Sequence, residues 1–116
     1  MTPSWIAAAA VTVALVIPFA ASAEALIRYR KSVSLQVGQP MVVHSYRGEC
    51  GQEPVLSSIQ LPKLKTGQLS LGKMGARDSK RCGGRTPAVE VIFTATQSGR
   101  EKFEVQGDDI SVRVKD

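Results

Sequence analysis

Aromatic residues are scarce in this chain of 116 residues, at 5% of positions, and histidine occurs once. No aromatic residue stands between Tyr46 and Phe93. That gap removes the stacking platform a nucleic acid strand needs, so nucleic acid is not expected as a partner. Cysteine occurs twice, and with His44 alone beside the pair the chain lacks the four short-spaced ligands of a structural zinc site. No metal and no cofactor is therefore expected. A Gly-x-Ser-x-Gly elbow is missing too, and His44 has only Ser45 and Ser57 nearby as conceivable nucleophiles. Asp108-Asp109 follows Gly107, where Asp serves a turn's backbone rather than acid–base work. No catalytic residue is assigned, and the expectation is a protein that is not an enzyme.

Charge is absent from the first 23 residues. Trp5 to Phe19 is apolar apart from Thr12 and Pro18, and Ala21-Ser22-Ala23 follows as a small-x-small cleavage signal. The run is shorter than the roughly 20 residues a spanning helix needs. Residues 1–23 read as a signal peptide and residues 24–116 as one domain, periplasmic or secreted. All charge then belongs to that domain, which keeps the net +5 of the whole chain.

An oxidising compartment favours pairing of Cys50 with Cys82. Their bond would close a loop of about 33 residues, for which the chain-entropy model gives roughly 3.5 kcal/mol. In a domain this small, such a staple is a large share of the stability.

Helix signals are nearly absent, and strand signals recur instead. Val33, Leu35 and Val37 alternate with Ser32, Ser34 and Gln36, and Met41 to Tyr46 forms a second β-rich run. Val55 to Leu61, closed by Pro62, predicts a third strand, and Gln68 to Leu71 a fourth. Lys73 to Arg85, with Gly75, Gly83 and Gly84 among basic residues, reads as a loop. Ala88 to Thr94 predicts a longer strand with Val89, Val91 and Phe93 on one face. Phe103 and Val105, a turn at Gly107-Asp108-Asp109, then Ile110, Val112 and Val114 predict a closing hairpin. About seven strands without a crossover helix point to an all-β sandwich with one disulfide.

The run Val91 to Val105, then Gly107-Asp108 and Ile110 to Val114, resembles the closing strands of bacterial immunoglobulin-like or cadherin-like domains. Cys50-Gly51 to Cys82-Gly83 looks similar to small exported bacterial proteins that carry one such domain. The resemblance implies an immunoglobulin-like β-sandwich in an envelope setting and carries over no functional residue. Carboxylates are not clustered as a calcium site would require.

Charge placement is the sharpest functional signal. Lys63, Lys65, Lys73, Arg77, Lys80, Arg81 and Arg85 face one local acid, Asp78. This stretch is the candidate surface for an anionic partner. Arg81-Cys82-Gly83-Gly84-Arg85 has the composition of a small anion nest, although no helix follows it. The function expected is an exported, non-enzymatic binding or accessory module of the bacterial envelope, contacting a protein or an anionic glycan or lipid through the basic loop. The alternative is a small secreted inhibitor of a protease or other envelope enzyme.

Overall fold

The computed structural model describes residues 25–116. The expected signal peptide and the cleavage point before Glu24 lie outside the described residues. Among the described residues six strands follow in order: β1 (Ser32–Gln36), β2 (Pro40–Arg47), β3 (Gly67–Ser79), β4 (Gly84–Ala95), β5 (Gly99–Val105) and β6 (Asp108–Lys115). They form two three-stranded sheets, one ordered β1-β6-β5 and the other β2-β4-β3. A seventh extended segment precedes them, where Leu26 bridges Ala76 at the edge of β3.

Alternation in the sequence explains the layering. Val33 and Leu35 of β1, Phe103 and Val105 of β5, and Ile110, Val112 and Val114 of β6 turn one face of their sheet inward. Val43 of β2 and Val91, Phe93 and Ala95 of β4 meet them from the other sheet. The rings of Phe93 and Phe103 stack across the interface, with centroids 6.1 Å apart. Burial at about 25 cal/mol per Å² of apolar surface makes this contact the main source of cohesion between the sheets. The all-β sandwich expected from the strand pattern is the fold observed.

Two stretches depart from expectation. Val55 to Leu61 is not a strand: Leu56–Ser58 is a single 3-10 turn, and Val55 is 65% exposed. Pro54 and Pro62 bracket the segment, and the Ser58 hydroxyl donates to the Val55 carbonyl at 2.7 Å, a local bond that competes with pairing. Conversely, Lys73 to Arg85 is not a loop. β3 continues to Ser79, pairs antiparallel with β4 down to Ser79↔Gly84, and leaves Lys80 to Gly83 as the tip.

The glycines that suggested irregularity serve this hairpin. A register shift between Leu71 and Met74 leaves Gly72 and Lys73 opposite Glu90. A Cβ on Gly72 would meet Glu90 Oε1 at 2.5 Å, and the Lys73 amide donates to that same oxygen at 2.9 Å. The bulge therefore needs both the missing side chain and the carboxylate.

The disulfide forms as expected between Cys50 and Cys82, with Cα atoms 5.4 Å apart. It ties the loop after β2 to the hairpin tip. The Gly51 amide adds a 2.9 Å bond to Thr86 Oγ1 on β4.

Candidate functional site

The segment before β1 crosses from one sheet to the other. Ile27 donates to Ala76 of β3 at 2.8 Å, Arg30 to Val43 of β2 at 2.9 Å, and Lys31 accepts from Ser111 of β6 at 2.8 Å. With the hairpin tip, the end of β2 and the β5–β6 turn, this segment encloses a cleft of about 790 Å³.

Gln106 and Gly107 form the turn between β5 and β6, both with positive φ, at 47° and 88°. A two-residue turn of this kind suits right-twisted strands but is unfavourable for a residue with a Cβ at the first position. Gln106 is held there by its side chain, whose Oε1 accepts from the Arg47 amide at 2.9 Å and whose Nε2 donates to the Arg47 carbonyl at 3.0 Å. The turn expected at Gly107-Asp108-Asp109 thus lies one residue earlier, and Asp108 begins β6.

That shift gives Asp108 a structural partner. His44, 3% exposed, lies 2.9 Å from Asp108 Oδ2 through Nε2. Burial, helped by the charge of Arg77 and opposed by Asp108, holds the imidazole below its ordinary range. A neutral His44 beside an ionised Asp108 carries its proton on Nε2, which donates. Tyr29 covers the imidazole, with ring centroids 4.5 Å apart, and its hydroxyl donates to the Asp109 carbonyl. His44 Nδ1 and Ser45 Oγ are buried without partners and do not bond each other, so they are not set as base and nucleophile.

Arg77 extends into the same place. Its Nη1 donates to the Ser45 carbonyl at 2.7 Å and to Gln106 Oε1 at 3.3 Å, and its Nη2 lies 4.0 Å from Asp108. Burial first, then Arg47, push its guanidinium down while Asp108 resists, but an arginine stays cationic. Arg77 is therefore built into the wall.

The seven expected basic residues do not form one surface. β3 is 13 residues long and spans about 40 Å. Lys63 and Lys65 precede its first residue, where the Lys65 amide bonds Glu101 at 2.9 Å. Lys73 sits in the bulge, and Arg85 lies 3.6 Å from Asp78 in an exposed pair. Arg77, Lys80 and Arg81 alone reach the cleft, and Arg28 and Arg47 join them there. Arg28 carried no sequence signal. Arg47 was not singled out either, but the signal that could have found it is its place three residues before Cys50, which the expected disulfide sets beside the basic stretch around Cys82.

Among the described residues no group of three or more His, Cys, Asp and Glu could hold a metal ion. No helix among them is long and apolar enough to cross a membrane. The fold and site define a disulfide-stapled two-sheet sandwich with a cationic cleft at one end. No protein-family model, curated protein or solved structure matches the chain.

Proposed function

We propose that the protein is a non-enzymatic binding or accessory module of the bacterial envelope, periplasmic or secreted, whose hairpin-end cleft takes an anionic partner. The observation that carries this reading is convergence. Five cations from separate parts of the chain, Arg28, Arg47, Arg77, Lys80 and Arg81, line one cleft. Against them stand two carboxylates, Asp108, which meets His44 and Arg77 within the cleft, and Asp78, which pairs with Arg85 outside it, so cations outnumber acids five to two. Positive charge gathered in a concave site focuses the field that draws in an anion. The disulfide is compatible with an oxidising compartment outside the cytoplasm. The two-sheet packing and the closing hairpin support immunoglobulin-like kinship.

The test is the triple variant Arg28→Glu/Lys80→Glu/Arg81→Glu against lipopolysaccharide and an acidic protein. The expected result is binding weakened by about tenfold or more, together with a steep loss of wild-type binding as salt rises. Unchanged binding by the variant overturns the reading.

Exposure of Val55 and Leu56, at 65% and 48%, on the loop anchored by Cys50 favours one second reading, an inhibitor that offers this loop to an enzyme cleft. Inhibition of an envelope protease that is lost in Val55→Asp/Leu56→Asp supports it. Equal inhibition by that variant removes it.

A further inference from the structure

The outer face of the β1-β6-β5 sheet carries a second and unrelated concentration of charge. Val33 and Leu35, Val112 and Val114, and Phe103 and Val105 point into the core, so their strand neighbours point outward. The register sets Arg113 of β6 directly opposite Arg100 of β5, with Ser34 of β1 on its other side. The adjacent row is Lys102, Ser111 and Ser32. A shallow trough of about 700 Å³ runs over these two rows.

Like charges placed opposite each other across a sheet destabilise it, and no ion pair among the described residues relieves Arg100 or Arg113. The carboxylate between Arg100 and Lys102 in sequence is on the inner side. Glu101 accepts from the Lys65 amide at 2.9 Å, the Thr66 amide at 2.8 Å and the Thr66 hydroxyl at 2.7 Å. It closes the turn entering β3 and is turned away from its two cationic neighbours, while the outer-face acids Glu104 and Asp109 stand opposite each other in the row beyond Lys102 and Ser111.

From this arrangement we infer that the outer face is an anion-binding surface for a glycan chain bearing sulfate or phosphate esters. Two guanidinium groups in adjacent strands present planar forks suited to tetrahedral oxyanions. The flanking serine hydroxyls supply uncharged donors and acceptors for sugar hydroxyls. A membrane surface is a poorer occupant, because the two rows hold no apolar side chain to enter the lipid boundary. A single-stranded nucleic acid would lack an aromatic platform there. The face is distinct from the cleft: Arg113 lies five residues along β6 from Asp108, roughly 17 Å away.

The test uses calorimetric titration of the intact protein with heparin oligosaccharide as a sulfated probe. It compares the wild type, Arg100→Glu/Arg113→Glu and the cleft variant Arg28→Glu/Lys80→Glu/Arg81→Glu. The expected result is saturable wild-type binding, weakened about tenfold or more in the outer-face variant and less in the cleft variant. A single Arg113→Thr change should weaken binding while leaving the thermal midpoint unchanged or higher, because it relieves the opposed pair. That combination separates a binding role from a structural one. Wild-type affinity in the outer-face variant, absence of wild-type binding, or binding to phosphatidylglycerol vesicles as tight as to heparin overturns the inference. Because the cleft variant is a separate arm, failure here leaves the cleft reading standing, and the reverse holds too.

Discussion

The two ends of the sandwich are held by different physics. At the end where β3 begins, packing is apolar and close: a Cβ on Gly67 would sit 2.5 Å from the Phe93 ring, which itself stacks on Phe103. At the hairpin-tip end the cohesion is covalent and polar, through Cys50–Cys82, Arg77, His44–Asp108 and Gln106. The contrast shows why one end can host a site. Between the sheets at the first end the Glu101 carboxylate is taken up by Lys65 and Thr66 beside close apolar packing, whereas at the tip a polar network fixed by a staple keeps cations in place around an open cleft.

The largest loss of stability is expected at the apolar end. Phe93→Ala should cost about 4 kcal/mol, since the ring is fully buried and a cavity would remain between the sheets. Urea unfolding measures this, and a cost below about 1 kcal/mol would mean that the end is not held by packing. At the other end, the double change Cys50→Ala/Cys82→Ala should cost about 3.5 kcal/mol and weaken anion binding, because the tip is no longer tied to the β2 loop. Equal binding after removal of the staple would separate the cleft from the disulfide.

Arg77→Ala should cost about 2 kcal/mol by removing the guanidinium from the Ser45 carbonyl, while Gln106 keeps its bond from the Arg47 amide. Smaller still is the dependence on pH. The His44 imidazole is held below its ordinary value, so the folded state prefers it neutral. Its contribution is fully present above the unfolded value of about 6.5 and is lost as pH falls through the lower folded value. His44→Gln should flatten stability over that interval. Glu101 acts lower on the scale. Burial pushes its carboxyl up, but hydrogen bonds from Thr66 and Lys65 together hold it below its usual range. Its stabilisation is present above the unfolded carboxylate value and lost as pH falls through the folded one, and Glu101→Gln should remove that dependence.

Legibility in the sequence follows the same division. Apolar alternation in Val89, Val91 and Phe93 and in Ile110, Val112 and Val114 exposed the buried faces directly, because burial on a strand has a period of two. β3 was hidden beyond Leu71, since its bulge, glycines and charges imitate a loop while its stability comes from partners on β4. Val55 to Leu61 erred the other way, its β-rich composition outweighed by flanking prolines and a local Ser58 bond. The cleft was partly legible: the disulfide places the tip, but the meeting of Arg28 with Arg47 depends on a chain crossing that no local pattern encodes. The Arg100–Arg113 opposition was invisible for a similar reason, because it requires the hairpin register.

The cleft assignment is tested most directly by amide chemical shifts during titration with inositol hexakisphosphate, a compact polyanion. The largest shifts are expected at His44 to Arg47 and Arg77 to Arg81, where they saturate and disappear at high salt. Largest shifts at Lys63, Lys65 and Lys73, or equal small shifts at every Lys and Arg, would contradict the assignment and leave the cleft cations as a solvated face.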